Sequence, residues 1–297
     1  MRTLAFFPLA PLAAVALLGC GDPAPANNDP PPPARGVQVV TPYTIAPGQE
    51  RYLCSVVNLD NPSQVAITRY DFFNHATVHH AALFQPIVPE PEGVTDCPVL
   101  IKQTWLPLGG GGVSTSGLVL PSGAGMKLPG KSQILVQLHL LNSTSQPITA
   151  RSFVNLTFAP DASQVTPAGI FAFGQQNFEL APGAKGVTLG SECMLGKTLD
   201  VFAVFPHMHQ LGTKITLERG TSATDASIVY KRDPWVFGDQ PMDQMTLKLG
   251  QGEYVRATCT YDNTTDRKIT FGESSTDEMC YLVLFYTPFD HLDGCVR

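Results

Sequence analysis

Short apolar runs separated by turn residues constrain this chain more than any other feature. Arg51 to Leu59, Gln64 to Tyr70, Thr77 to Phe84, Ser132 to Leu141 and Arg151 to Phe158 are alternating or β-branched stretches bounded by Pro, Gly, Asn or Asp. The pattern resumes with Thr198 to Phe205, Lys214 to Glu218, Ile228 to Lys231, Met245 to Leu249, Tyr254 to Tyr261 and Met279 to Tyr286. No long stretch shows a helical apolar face. Runs of this length cannot bury a core singly and must pair into sheets that stack face to face. The expected fold is therefore all-β: two tandem antiparallel β-sandwich domains, jelly-roll-like and facing each other across a cleft. Pro160 to Pro167 reads as the boundary. It gives an N-terminal domain over 37–160 and a C-terminal domain over 166–297, each near the usual domain size of about 125 residues.

The N-terminus bears on compartment. Arg2 precedes an apolar segment, Leu4 to Leu18, that is broken by Pro8 and Pro11 and too short to span a bilayer comfortably; Leu17-Leu18-Gly19-Cys20 follows. This is similar to a bacterial lipoprotein signal, with residues 1–20 as signal peptide and lipobox and Cys20 as the lipidated anchor. Residues 21–36, with Pro30 to Pro33, read as a Pro-rich linker that lifts the folded part off a membrane. The expected location is extracytoplasmic, on the periplasmic side or the cell surface. Six further cysteines, at 54, 97, 193, 259, 280 and 295, predict three disulfides in an exported chain. None has the spacing of a zinc knuckle, and spacing alone leaves the pairing open. A net charge of -6 without a basic stripe argues against nucleic acid as a partner. Gly125 to Ser132 matches a phosphate-loop pattern, but Pro129 lies inside it and a strand-like run follows where a helix is needed, so no nucleotide is expected. Gly109 to Gly130 reads as a flexible glycine-rich loop.

The chemistry gathers at histidines. His207 and His209 end an apolar strand-like run, and residues i and i+2 of a strand share one face, so both imidazoles can aim at one point. Imidazole suits copper, zinc, iron and nickel alike. His79, His80 and His139 also sit on apolar runs, where a charged ring would be costly and a neutral or ligating ring is expected. Adjacent strand residues face opposite ways, so His79 and His80 can share a metal only at a bulge or strand end, or through different ring nitrogens. Met279 is the candidate third ligand beside His207 and His209, because a soft thioether favours Cu(I). Asp277 and Glu278 are the alternative, and would make a zinc site.

Four motifs then stand together: His79-His80-Ala81-Ala82-Leu83-Phe84, Val136-Gln137-Leu138-His139, His207-Met208-His209-Gln210-Leu211-Gly212 and Asp277-Glu278-Met279-Cys280. In order and approximate spacing they resemble the copper type II, ascorbate-dependent monooxygenases, whose familiar members hydroxylate peptidylglycine or dopamine. The resemblance implies two coppers per chain, across a water-filled cleft. His79, His80 and His139 would hold the one that relays electrons. His207, His209 and Met279 would hold the catalytic one. Gln137 matches a family glutamine beside the electron-transfer copper. The implied disulfides are Cys54 with Cys97, Cys193 with Cys295, and Cys259 with Cys280. The implied reaction is hydroxylation of a C–H bond in a small organic substrate, with dioxygen and ascorbate or a similar one-electron donor. A copper-binding or copper-buffering lipoprotein without turnover is the alternative, because it needs the same ligands. Phe205 replaces the arginine that anchors a peptide carboxylate in the amidating enzyme. Tyr281 and Val283 replace an asparagine and a tyrosine, so a more apolar pocket is expected.

Overall fold

The computed structural model describes residues 29–97, 102–112, 115–290 and 295–296. The signal segment, Cys20 and linker residues 21–28 lie outside the described residues. The fold is all-β, as the turn-bounded runs require. In the first half, one sheet orders Gly36–Ile45, Ile148–Phe158, Val65–Phe73, Ala124–Leu128 and Thr166–Pro167, with Gly117–Val119 also paired to Val65–Phe73. The second orders Gly93–Asp96, Glu50–Asn58, Gln133–Leu141, Val78–Pro86 and Trp105–Gly112. In the second half, one sheet orders Gly169–Gln175, Cys280–Thr287, Leu199–Met208 and Asp243–Leu249. Its mate orders Ser227–Arg232, Gly212–Gly220, Tyr254–Tyr261, Val187–Leu195 and Cys295–Val296. Neighbours are antiparallel, except that Thr166–Pro167 runs parallel to Ala124–Leu128.

Alternation along these strands builds two cores. Val39, Ile67 and Tyr70 from the first sheet meet Leu83, Val136 and Leu138 from the second, all fully buried. Val201, Val204 and Leu282 meet Ile215, Leu217 and Val255 in the same way. Each such aliphatic chain stabilises the fold by about 1.5–3 kcal/mol, so the sandwiches rest on packing between sheets rather than on any one strand. The first core does not stop at its own sheets. Ala168, Ile170, Ala203 and Phe285 from the second half belong to it.

The two sandwiches also repeat one closure, which the sequence reading did not detect. Ile45-Ala46-Pro47-Gly48 and Leu180-Ala181-Pro182-Gly183 each make a turn whose glycine takes a positive φ, 66° and 70°. Each turn is held by a fully buried asparagine. Asn142 Nδ2 donates to the carbonyls of Ile45 and Gln146, and its Oδ1 accepts from the Thr144 N–H and hydroxyl. Asn263 Nδ2 donates to Leu180, Ala181 and Arg267, and its Oδ1 accepts from Thr265 in the same two ways.

One expectation is corrected. The described residues of the Gly109 to Gly130 stretch are not a flexible loop: they hold the end of the strand Trp105–Gly112 and the strands Gly117–Val119 and Ala124–Leu128. The glycines serve close approach. A Cβ on Gly110 would lie 2.8 Å from the Ala81 carbonyl oxygen, and one on Gly112 would lie 2.5 Å from Gln240 Cβ. The phosphate-loop lookalike runs from the strand Ala124–Leu128 into the strand Gln133–Leu141, without the helix N-terminus that phosphate binding uses. Cys54–Cys97 and Cys259–Cys280 are bonded as the resemblance implies. Cys193 is disulfide-bonded, and the side chain of its expected partner Cys295 lies outside the described residues. These disulfides fit an oxidising, extracytoplasmic compartment. No helix among the described residues is long and apolar enough to cross a membrane.

Asn263→Ala would strand the buried carbonyls of Leu180 and Ala181. It is expected to destabilise the protein by about 2–4 kcal/mol, read as a lower denaturant midpoint, with Asn142→Ala behaving alike.

Candidate metal centre

The register of Val78–Pro86 against Gln133–Leu141 solves the problem posed by adjacent histidines. Val78 pairs with Leu140, but His80 pairs with His139, so the strand slips by one residue and His79 is the extra one. Such a bulge releases adjacent side chains from strict alternation. Ligating atoms of His79, His80 and His139 then all lie within 4.8 Å of one another. Ring centroids are 5.6 Å apart for His79 and His80, 5.3 Å for His79 and His139, and 4.9 Å for His80 and His139. Gln137 is fully buried two residues before His139, and so on the same face.

The second set stands on Leu199–Met208 and the strand beside it. His207 pairs with Tyr281 and Met208 with Cys280, so Met279 comes next along the face that carries Tyr281 and Val283. His207 and His209 are buried, with ring centroids 5.2 Å apart. Met279 is buried too and lines a cavity with His80 and His207.

Hydrogen bonds choose which nitrogen each ring presents. His139 Nε2 is 2.6 Å from Glu50 Oε1 and donates to it, leaving the Nδ1 lone pair. Gln240 Nε2 donates to the Phe237 carbonyl, so its Oε1 must accept, and His207 Nδ1 lies 2.7 Å away as the donor. His209 Nδ1 donates to the Asp277 carbonyl at 3.1 Å. Four ring nitrogens are then buried with no partner among the described residues: His79 Nε2, His80 Nδ1, His139 Nδ1 and His209 Nε2. Each would cost about 1–3 kcal/mol if nothing met it. Three of them, on His79, His80 and His139, belong to side chains close enough together to hold a metal ion.

Electrostatics agrees. Burial pushes every ring below its ordinary range: His79 to about 3, His80 and His207 well below, His139 and His209 less so. Neighbouring imidazoles reinforce the shift at His79, His80 and His207, while Glu50 opposes it at His139. All five are neutral near pH 7, the form that ligates.

The two sets lie close together. The His80 and His207 centroids are 5.4 Å apart, and those of His79 and His209 are 6.4 Å apart, so five histidines form one cluster. Polar ties hold the halves together around it. Tyr52 stacks on His139 at 4.2 Å and donates its hydroxyl to the Glu273 carbonyl. Glu50 accepts from the Ser275 N–H and the Ser274 hydroxyl, besides His139. Burial alone would raise the Glu50 carboxyl, but these donors outweigh it and hold it below its ordinary value. Thr115 Oγ1 donates to the carbonyl of Gln240, the residue that orients His207.

Glu50, Tyr52 and Gln240 were not read from sequence as functional. Each looks like an ordinary strand-start or turn residue until the fold brings it to a ring. Glu278 was read as a possible zinc ligand, and the structure uses it otherwise. Fully buried, its carboxylate accepts the N–H groups of His209, Leu211 and Met279. Burial pushes its pKa up to about 7 against those donors. Glu278 thus braces the backbone on both sides of the second set.

An all-β scaffold that converges neutral imidazoles and brings a thioether into the adjoining cavity is suited to a soft, redox-active transition metal. Comparison with known proteins narrows this. Residues 166–297 match the family model "Copper type II ascorbate-dependent monooxygenase, C-terminal domain". MOXD1 homolog 1 of Drosophila melanogaster is 23% identical over 201 residues, 62% of this chain and 28% of that protein. Putative DBH-like monooxygenase protein 2 of Homo sapiens is 22% identical over 290 residues, 86% of this chain and 57% of that protein. The chain thus spans little more than half the length of these relatives, or less. Among solved structures, the STIV MCP overlays with a TM-score of 0.33 at 8% identity, covering 86% of this chain and 93% of that one, and nothing about function rests on it. The family match over residues 166–297 and the two relatives support the copper type II ascorbate-dependent monooxygenase family.

Glu50→Gln removes the carboxylate behind His139 while keeping the side chain's size. Metal affinity at His79, His80 and His139 is expected to fall about 10–100-fold in a chelator competition, with the fold intact by circular dichroism.

Proposed function

We propose that the protein is an extracytoplasmic copper-dependent monooxygenase. It hydroxylates a C–H bond of a small organic substrate with dioxygen and ascorbate or a similar one-electron donor. The observation that carries this reading is the convergence of two donor sets on one apolar cavity, with buried ring nitrogens that have no other partner. His79, His80 and His139 hold one copper, and His207, His209 and Met279 the other. Bound copper supplies the one-electron chemistry and the activation of dioxygen.

The chain's own residues aim and shelter that chemistry. Glu50, Gln240 and the Asp277 carbonyl each keep a proton on the outer nitrogen of a ring, so that the inner nitrogen stays a donor. Gln137 lies on the face of His139 and lines the cavity, next to where electrons would pass. The Met279 thioether favours the reduced metal, which separates copper from zinc. In this reading Cys20 anchors the chain to a membrane through a lipid, and residues 21–36 act as a spacer. Neither nucleic acid nor nucleotide takes part.

Copper-reconstituted protein is expected to hold about two coppers per chain, falling to about one in His207→Ala and, under ascorbate, in Met279→Leu. Unchanged metal content in Met279→Leu would favour zinc. Ascorbate-dependent oxygen uptake coupled to a hydroxylated product is the activity readout. Two tightly held coppers with no uptake across a substrate panel would make the chain a copper-binding protein instead.

A further inference from the structure

Between the histidine-bearing strands of the two halves lies a cavity of about 200 Å³. His80, His207 and Met279 line it, so whatever enters lies beside both donor sets. Apart from Gln137 and the Tyr281 hydroxyl, the rest of the wall is apolar, with Phe84, Phe205, Val283 and Phe285 among its side chains. Among the described residues, no Asp, Glu, Lys or Arg lines it. The Tyr281 hydroxyl, one of the few polar groups there, lies 2.5 Å from Gln176 Nε2 and accepts its hydrogen bond. The Tyr281 ring is itself pinned, since a Cβ on Gly174 would fall 2.1 Å from it. Glu50 and Glu278, the carboxylates that hold the donor sets in place, are committed to the ring and backbone donors described above.

A carboxylate or ammonium placed in this cavity would lose its water and meet no counter-ion, an exchange that proteins avoid. An apolar molecule loses little and gains contact on all sides. Size sets the second limit. A cavity of about 150 Å³ holds benzene, so this one takes a single ring with a short alkyl chain.

We propose that this cavity is the substrate site and that it takes a neutral, apolar molecule of about one ring and a short chain, held by shape and desolvation without an ionic anchor. The proposal rests on the monooxygenase reading for the word substrate, but the binding it asserts does not depend on turnover. Ala172 provides the handle. It lines the cavity yet is solvent-exposed, so it stands at the mouth, directly opposite Val283 on the neighbouring strand.

The test is isothermal titration of the whole, metal-free chain with ethylbenzene, phenylacetate and phenethylammonium, three ligands of similar outline and different charge. Ethylbenzene is expected to bind, and each ion to bind at least about 10-fold more weakly. Ala172→Trp is expected to weaken ethylbenzene by at least about 10-fold with an unchanged denaturation midpoint, because the position is exposed and the new ring closes the mouth. Equal or tighter binding of either ion, no binding of ethylbenzene, or ethylbenzene binding unaffected by Ala172→Trp would each overturn the proposal. Absence of hydroxylation in copper-loaded protein that binds ethylbenzene would instead sink the monooxygenase reading and leave the cavity's preference standing.

Discussion

One extra residue in one strand is the constraint on which the site depends. Between Val78 and His80 the ladder to Gln133–Leu141 slips by a residue, and that slip brings His79 to the side of His80 and His139. In a regular strand the two neighbours would face opposite ways, one towards the second half and one into the first core. The bulge is secured by what surrounds it. The pairs from His80–His139 to Phe84–Leu135 run on in register, and Gly110 lets Trp105–Gly112 lie close on the other side, while Gly112 leaves room for Gln240. A bulge with no such neighbours would be free to anneal along the strand.

Around that slip, the polar groups share one logic. Burying five neutral imidazoles is costly unless each outer nitrogen finds an oxygen and each inner nitrogen finds a metal. The oxygens come from separate parts of the chain: Glu50 at the start of a strand, Gln240 in a turn, and the Asp277 carbonyl before Met279. Two of them also join the halves, Glu50 through Ser274 and Ser275, and Gln240 through Thr115. Two of the residues that set the tautomers therefore also bring the two donor sets together. Ligand geometry and closure of the two sandwiches are one structural problem here, and the apolar contact of Ile170, Ala203 and Phe285 with the first core adds the non-directional part.

Closure also makes the cavity. Its walls come from both halves, and its character follows from which residues the strands carry inward on the faces that meet. Where the amidating relatives named by the resemblance place an anchoring charge, this chain places Phe205, which stacks against His207 with ring centroids 6.1 Å apart. The substrate preference inferred above thus arises from the strand that carries His207, and a change at Phe205 would alter the pocket and the setting of that ring together.

Much of this was legible in the residues themselves. Turn-bounded runs of β-branched and apolar residues determine strands wherever they occur, because period-two burial is a local property, and each run read from sequence is a strand in the structure. The His-x-His pair determines two rings on one face for the same reason, and the order of the four motifs carried the family. The glycine run misled, since glycine licenses both flexibility and close approach, and only the neighbours Ala81 and Gln240 decide between them. The paired Asn142 and Asn263 closures were hidden because each joins residues far apart in the chain. By itself, then, the sequence determined the strands, the donor types and the apolar residues of the pocket. The tertiary structure alone decided the slip at His79, the oxygens that set each tautomer, and the joining of both donor sets around one cavity, because these depend on register and on contacts between segments that no local pattern encodes.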